Sequence, residues 1–344
     1  MNRLKNWLKT RSPLSDAETA NGAHASLACA EARHADVESA APHVTEGETA
    51  ASEPQRSFLP PGFTPEMLHK LERRLVFVIG CARSGTTALT RALNCSADLL
   101  LLEEPNFFQN SYIGEFTEFF NRMHRSWGTP RMKGTYVRPP VEPEAGPLPL
   151  LARLSQDYRY VGAKLAFGPH DPDFTWPDAF VEYQARYFFN ARRVIIMRTP
   201  IESIWSMHKM FADRPIPWLI KTWLCSAITC IDCYRVFSGV RWMFSEDLSA
   251  ESVARFARTI PVEIEVPPTM LARGYVQSRV DDEELPEPLK PYASWCEGCL
   301  FVFRRLRENI SSESLRYCGP QADWVFFDDI HRQIAATLAD LPEN

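Results

Sequence analysis

The residues Gly80-Cys-Ala-Arg-Ser-Gly85-Thr86-Thr87 have the types and order needed to hold a phosphate. Glycines let a backbone approach an anion closely. Amides left unpaired at a helix start, backed by the helix dipole, point their hydrogens at it. The hydroxyls of Thr86 and Thr87 add donors, Ser84 and Gly85 complete the turn, and Arg83 places a cation inside the loop. Position gives these letters their meaning: the apolar run Leu75–Gly80 reads as a buried strand before them, and Thr86–Asn94 as a helix after them. The spacing is that of a Walker A loop, yet Thr86 stands where a nucleotide hydrolase carries the lysine for its terminal phosphates. No hydrophobic strand ends in an aspartate that would hold magnesium.

A second anion site is written into Arg193–Lys209, RVIIMRTPIESIWSMHK. A buried strand ends at Met197, and Arg198 emerges at its carboxyl end, the edge at which open α/β sheets bind ligands. Thr199 suits a helix N-cap, Pro200 the first helical position, and Glu202 the partner residue of a capping box. Ser203 and Ser206 follow Thr199 by four and seven residues, so the three share a helix face.

Arg83-Ser84-Gly85-Thr86-Thr87 resembles the 5′-phosphosulfate loop of sulfotransferases that use 3′-phosphoadenosine-5′-phosphosulfate (PAPS), where Arg or Lys precedes Ser-Gly-Thr-Thr. Arg198 and Ser206 are similar to that family's 3′-phosphate motif, an arginine at a strand end and a serine eight residues later. Arginine suits this task because its planar fork binds phosphate bidentately. Phe244-Ser-Glu-Asp-Leu248 resembles the family's Tyr-Glu-Asp-Leu, with Ser245 at the tyrosine position, and marks the fold rather than the chemistry. The likeness spans about residues 75–250; the C-terminal third does not align, and its Arg-Lys-Gly element for the 3′-phosphate is missing, with Arg273 and Arg279 as weak substitutes.

The resemblance implies transfer of a sulfuryl group from PAPS to an acceptor hydroxyl, with no metal required. Such a reaction needs donor and acceptor aligned, a proton removed and leaving-group charge met. Arg83 is placed for the leaving group. Glu104, in Glu104-Pro105 just past the strand Asp98–Glu103, takes the base role that the family's Glu-Pro glutamate implies, with Glu103 as its competitor. Lys164 resembles the family's strand-end lysine on the transferring group, although Leu165 departs from the usual Thr-Pro or Asp-Pro. His124, His170 and His208 are the histidine alternatives. Glu-Pro points to a carbohydrate or natural-product hydroxyl. The rival readings are a P-loop nucleotide kinase or NTPase with an altered loop, and a non-catalytic nucleotide-binding protein.

The elements that must position these residues alternate along the chain. Strands are expected at Leu75–Gly80, Asp98–Glu103, Tyr160–Phe167 (weakened by Gly162), Arg193–Met197 and Val240–Ser245. Helices are expected at Thr86–Asn94, Pro177–Asn190, Pro200–Ala212, Pro217–Phe237, 285–309 and 321–340. Alternation of this kind predicts a three-layer α/β domain over residues 64–340, a mainly parallel central sheet with helices on both faces. Residues 127–151, rich in proline and glycine and carrying Arg131, Lys133 and Arg138, read as a long loop, a candidate lid over the acceptor.

Residues 1–56 stand apart. Glu18–Glu53 contains no aromatic and too little apolar surface to offset the entropy of ordering, so a disordered tail is expected. Leu4, Trp7 and Leu8 give its start a short amphipathic turn. The chain of 344 residues is 45% hydrophobic, enough for a sizeable core, and its net charge of −5 gives no global field for nucleic acid. No signal-peptide pattern and no run of about 18 apolar residues appears, so the expectation is a cytoplasmic protein without a transmembrane segment. Nine cysteines fit reduced thiols. Cys230-x-x-Cys233 and Cys296-x-x-Cys299 fall within helical patterns, where small buried side chains explain them more simply than zinc.

Overall fold

Leu75–Cys81 (β1) is buried at every residue, as a strand covered on both sides must be. The computed structural model describes residues 59, 62–103, 131–132, 135–136, 147–169, 176–267, 271, 284–310 and 324–341. The further strands are β2 (Leu99–Glu103), β3 (Arg131–Met132), β4 (Thr135–Tyr136), β5 (Tyr160–Phe167), β6 (Arg192–Met197) and β7 (Val240–Phe244). β1, β2, β5, β6 and β7 form one sheet in the order β2-β5-β1-β6-β7. Every pairing in it is parallel, so all five carboxyl ends share one edge.

The helices are α1 (Pro65–Glu72), α2 (Thr86–Leu93), α3 (Pro147–Asp157), α4 (Trp176–Tyr187), α5 (Pro200–Met210), α6 (Ile216–Val236), α7 (Ala250–Ala257), α8 (Ala293–Asn309) and α9 (Trp324–Ala339). Alternation along the strands fills both layers. Val76, Val78, Val194, Ile196 and Met243 pack with Leu89 and Leu93 of α2 and with Val253 and Phe256 of α7. The intervening residues face the other way: Phe77 meets Phe188 at 5.1 Å, Trp242 meets Tyr234 edge-on at 5.6 Å, and Phe244 meets Phe303 at 5.5 Å. This is the expected α/β architecture.

α6 is the one described helix long and apolar enough to cross a membrane, and 78% of its apolar window is buried inside the domain. Its composition follows from packing against β1, α4 and α5. Arg193, fully buried on the same side, lies 3.8 Å from the centre of the Phe237 ring. Its guanidinium donates to the carbonyls of Phe188, Phe189 and Ala191, tying down the turn that leads from α4 into β6.

Several elements differ from the sequence expectation. Residues 147–151, expected in the loop, are the first turn and more of α3, and Leu148, Leu150, Leu151 and Leu154 are buried. Pro147 and Pro149 read as breakers, but prolines in a first turn remove N–H groups that would be unpaired anyway. Within the same stretch β3 and β4 pair antiparallel, and β4 lies beside β2. The helix expected over 285–309 is divided: Glu287–Tyr292 is a 3-10 helix with Pro291 inside it, and α8 begins after it. α1 and α7 were unforeseen, yet each has a serine or threonine cap: Thr64 accepts from the Met67 amide at 3.2 Å, and Ser249 with Ser252 forms a reciprocal capping box. The tail 1–56 lies outside the described residues.

Gly162 strengthens β5 rather than weakening it. A β-carbon there would lie 1.7 Å from the carbonyl oxygen of Val76, so only glycine allows β5 to approach β1 this closely. Gly162→Ala should therefore destabilise the domain by about 3 kcal/mol or more, measured by urea unfolding. A loss below about 0.5 kcal/mol would show that the two strands separate easily at this point.

Candidate functional site

The loop after β1 and the helix start after β6 converge because the two strands are hydrogen-bonded neighbours, Ile79 in register with Ile195. Gly85 adopts φ +94° as the N-cap of α2, and no side chain caps that helix. The amides of the first turn are thus available to a ligand, with the dipole behind them. Thr86 is buried and Thr87 half-buried at this start. Ser84 is fully buried and uses both its amide and its hydroxyl on the carbonyl of Cys81, at 3.2 and 2.7 Å, so its side chain shapes the loop from within.

Arg83 is the one described non-glycine residue in the left-handed region, at φ +68°. Such a conformation is strained for a residue with a β-carbon. It sends the exposed Arg83 side chain across to α5, where Nε donates to Ser206 Oγ at 3.0 Å. The two motifs singled out in the sequence are therefore in direct contact.

Arg198 leaves β6 beside them. Its Nε donates to Glu202 Oε2 at 2.6 Å, and its Nη1 approaches the Arg83 carbonyl at 3.5 Å. The carboxylate occupies the Nε edge of the guanidinium and leaves the outer end of the fork facing the loop. Glu202 does not complete the capping box foreseen for it. The Thr199 side chain caps nothing. Glu246, just past β7, accepts the Thr199 amide at 3.0 Å instead. Ser203 is fully buried while Ser206 is half-buried and reaches Arg83, so the shared face expected for the two serines divides between core and site.

Lys164 comes to the same edge from β5. Only 1% exposed, its Nζ donates to Thr87 Oγ1 at 2.7 Å. Its Cα partner on β2 is Glu103, equally buried, which accepts from Arg91 Nε at 3.1 Å. Charges taken out of water need such partners. Arg91 is thus a site-edge residue that the sequence did not single out. Glu104, His124 and His170 lie outside the described residues, as do Arg273 and Arg279. His208 stacks on Trp205 with ring centres 5.5 Å apart on α5.

Phe244–Leu248, expected as a fold marker, closes β7 and turns through a 3-10 segment, Ser245–Asp247. It also has a structural task, since Arg307 of α8 donates to Glu246 at 3.2 Å and to Asp247 at 2.8 Å. The cysteine pairs lie on α6 and α8, and all four side chains are buried. Burial pushes the Cys233 thiol up to about 12 and Cys296 to about 11, and raises Cys230 and Cys299 as well, so the thiols stay protonated. No group of three or more metal-ligating side chains occurs among the described residues.

The molecule is thus an α/β domain organised around a P-loop-like turn at the carboxyl edge of a parallel sheet. Among solved structures it is similar to a sulfotransferase from Alicyclobacillus acidocaldarius, with 14% identity over 77% of this chain and 93% of that chain, at a TM-score of 0.33. No family model and no curated protein matches the chain. Function has to be read from this chain's own residues.

Glu246 carries a pH signature. Burial raises its pKa above 4.5, and the like charge of Glu202 adds to this, while hydrogen bonds from its own amide and that of Thr199, and the charge of Arg307, oppose it. The folded state therefore binds this proton more tightly than the unfolded chain. The resulting stability is complete below 4.5 and is lost as pH rises through the higher folded-state value. In denaturant unfolding between pH 4 and 7, wild type should lose stability relative to Glu246→Gln across that window as pH rises. A pH-independent difference would contradict the assignment.

Proposed function

We propose that the chain is a sulfotransferase that moves a sulfuryl group from PAPS to an acceptor hydroxyl. The observation that carries this reading is the 3.0 Å bond from Arg83 to Ser206, which joins a glycine phosphate loop to an arginine–serine helix. A donor with phosphate at both the 5′ and 3′ positions needs two such anion sites in one crevice. A nucleoside triphosphate needs one long cradle with a lysine at the position of Thr86.

In this reading the first-turn amides of α2, with Thr86 and Thr87, hold the 5′-phosphosulfate. Arg198 and Ser206 hold the 3′-phosphate. The acceptor oxygen bonds to sulfur as the bond from sulfur to the bridging phosphate oxygen breaks. The electron pair of that bond leaves with adenosine 3′,5′-bisphosphate, and Glu104 takes the hydroxyl proton. Arg83 and Lys164 meet the charge that grows on the leaving oxygen. The burial of Lys164 supports its part, because a desolvated ammonium acts more strongly than one in water. Glu103, tied to Arg91, is the less suitable base of the two neighbouring glutamates. A carbohydrate or natural-product hydroxyl is the proposed acceptor, and the β3–β4 ribbon beside β2 is the segment proposed to cover it.

Calorimetric titration with adenosine 3′,5′-bisphosphate, with ADP as control, tests the donor site. Wild type should prefer the bisphosphate, and Arg198→Ala should weaken its binding by about 30-fold while changing ADP little. Equal binding of both nucleotides by wild type would favour a nucleotide hydrolase or kinase and end the sulfotransferase reading.

A further inference from the structure

We infer that Arg307, from α8 in the C-terminal third of the chain, is a positioning residue for the 3′-phosphate site, acting on Arg198 through Glu246; this rests on the function proposed above. Arg307 does not itself belong to either anion motif. Its two terminal nitrogens divide between two carboxylates, Nη1 to Glu246 at 3.2 Å and Nη2 to Asp247 at 2.8 Å. A fork shared in this way fixes the direction of both acids, which a single ammonium would not do. The other oxygen of Glu246 accepts the amide of Thr199 at 3.0 Å.

That amide is the decisive link. The N–H of Thr199 and the carbonyl of Arg198 belong to one planar peptide unit, so a hydrogen bond to the N–H sets the rotation of the unit. The next residue is Pro200, whose ring fixes its own φ and which has no amide hydrogen to offer. Glu246 therefore holds the junction at its last backbone N–H before α5. Glu202 holds the guanidinium end of Arg198 at 2.6 Å, so the same arginine is fixed at backbone and tip.

The remote end of the link is equally built. The Arg307 guanidinium lies 5.2 Å from the Phe244 ring centre, and Phe244 packs edge-on against Phe303, one turn earlier on α8. The side chain is 39% exposed, so the pair with Glu246 and Asp247 adds little to global stability. Its effect is on geometry. Other charged groups facing Glu246 are Glu202 on α5 and Asp247 beside it, and neither can replace Arg307 as a cation.

The test compares adenosine 3′,5′-bisphosphate with adenosine 5′-phosphate on the full chain, and reads the ratio of their affinities. In Arg307→Ala this ratio should fall by about fivefold or more, with the 5′-phosphate bound as in wild type. An unchanged ratio, or a parallel loss for both nucleotides, overturns the positioning role. A wild-type ratio of one would remove the 3′-phosphate site itself and with it the function proposed above, an outcome distinct from a failure confined to Arg307. If Arg307→Ala does not fold, Glu246→Gln keeps the shape and weakens the grip; it should lower the ratio in the same sense, and an unchanged ratio there is equally decisive against the proposal.

Discussion

The parallel hydrogen bonds between β1 and β6, from Val76 with Arg192 to Ile79 with Ile195, decide which parts of this chain can act together. They bring the turn after one strand alongside the helix start after the other, although the two segments are far apart in sequence. Because β5 flanks β1 on its other side, Lys164 arrives at the same edge from a third segment. Remove the β1–β6 pairing and Arg83 loses Ser206, and the uncapped start of α2 faces no second cation. The close approach at Gly162 serves the same end by holding β5 against β1.

Among the described residues at this edge, each buried ionisable group has a partner. Lys164 has Thr87 and, across the strand pair, the neighbouring Glu103; Glu103 has Arg91. Arg198 has Glu202. These are local arrangements within a chain whose net charge is −5, so any attraction for an anion at this edge has to come from placement and not from the overall field. Glu202 also limits Arg198: it holds the Nε edge of the guanidinium, while Nη1 turns to the Arg83 carbonyl at 3.5 Å.

The sheet was legible in the sequence because parallel strands buried on both faces are short apolar runs, and Tyr160–Phe167 and Leu75–Cys81 are of that kind. The glycine turn after β1 was legible because its letters sit between such a run and a helix. What local pattern could not reveal was contact. Nothing near Arg83 announces Ser206, since their meeting depends on strand order. Glu202 shows the same limit from the other side. By spacing it belongs to a capping box with Thr199, but Arg198 takes its carboxylate, and Glu246, distant in sequence, takes the amide. A charge-assisted pair outcompetes a weaker local cap. Pro147 and Pro149 misled in a different way, as residues that stop a helix in its interior yet suit its first turn.

The backbone of Arg83 gives this arrangement its direction. A left-handed conformation costs a residue with a β-carbon about 1–2 kcal/mol. Glycine would avoid that cost, as it does two residues later at Gly85. One hydrogen bond from an exposed guanidinium to a serine contributes roughly the same amount or less. The contact with Ser206 alone therefore barely offsets the strain. In the proposed reading the balance changes, since one anion on the loop amides and a second at the start of α5 would each take further charge-assisted bonds from side chains already aimed. Strain held at this one position is what the proposed ligand site would account for and what stability of the fold does not.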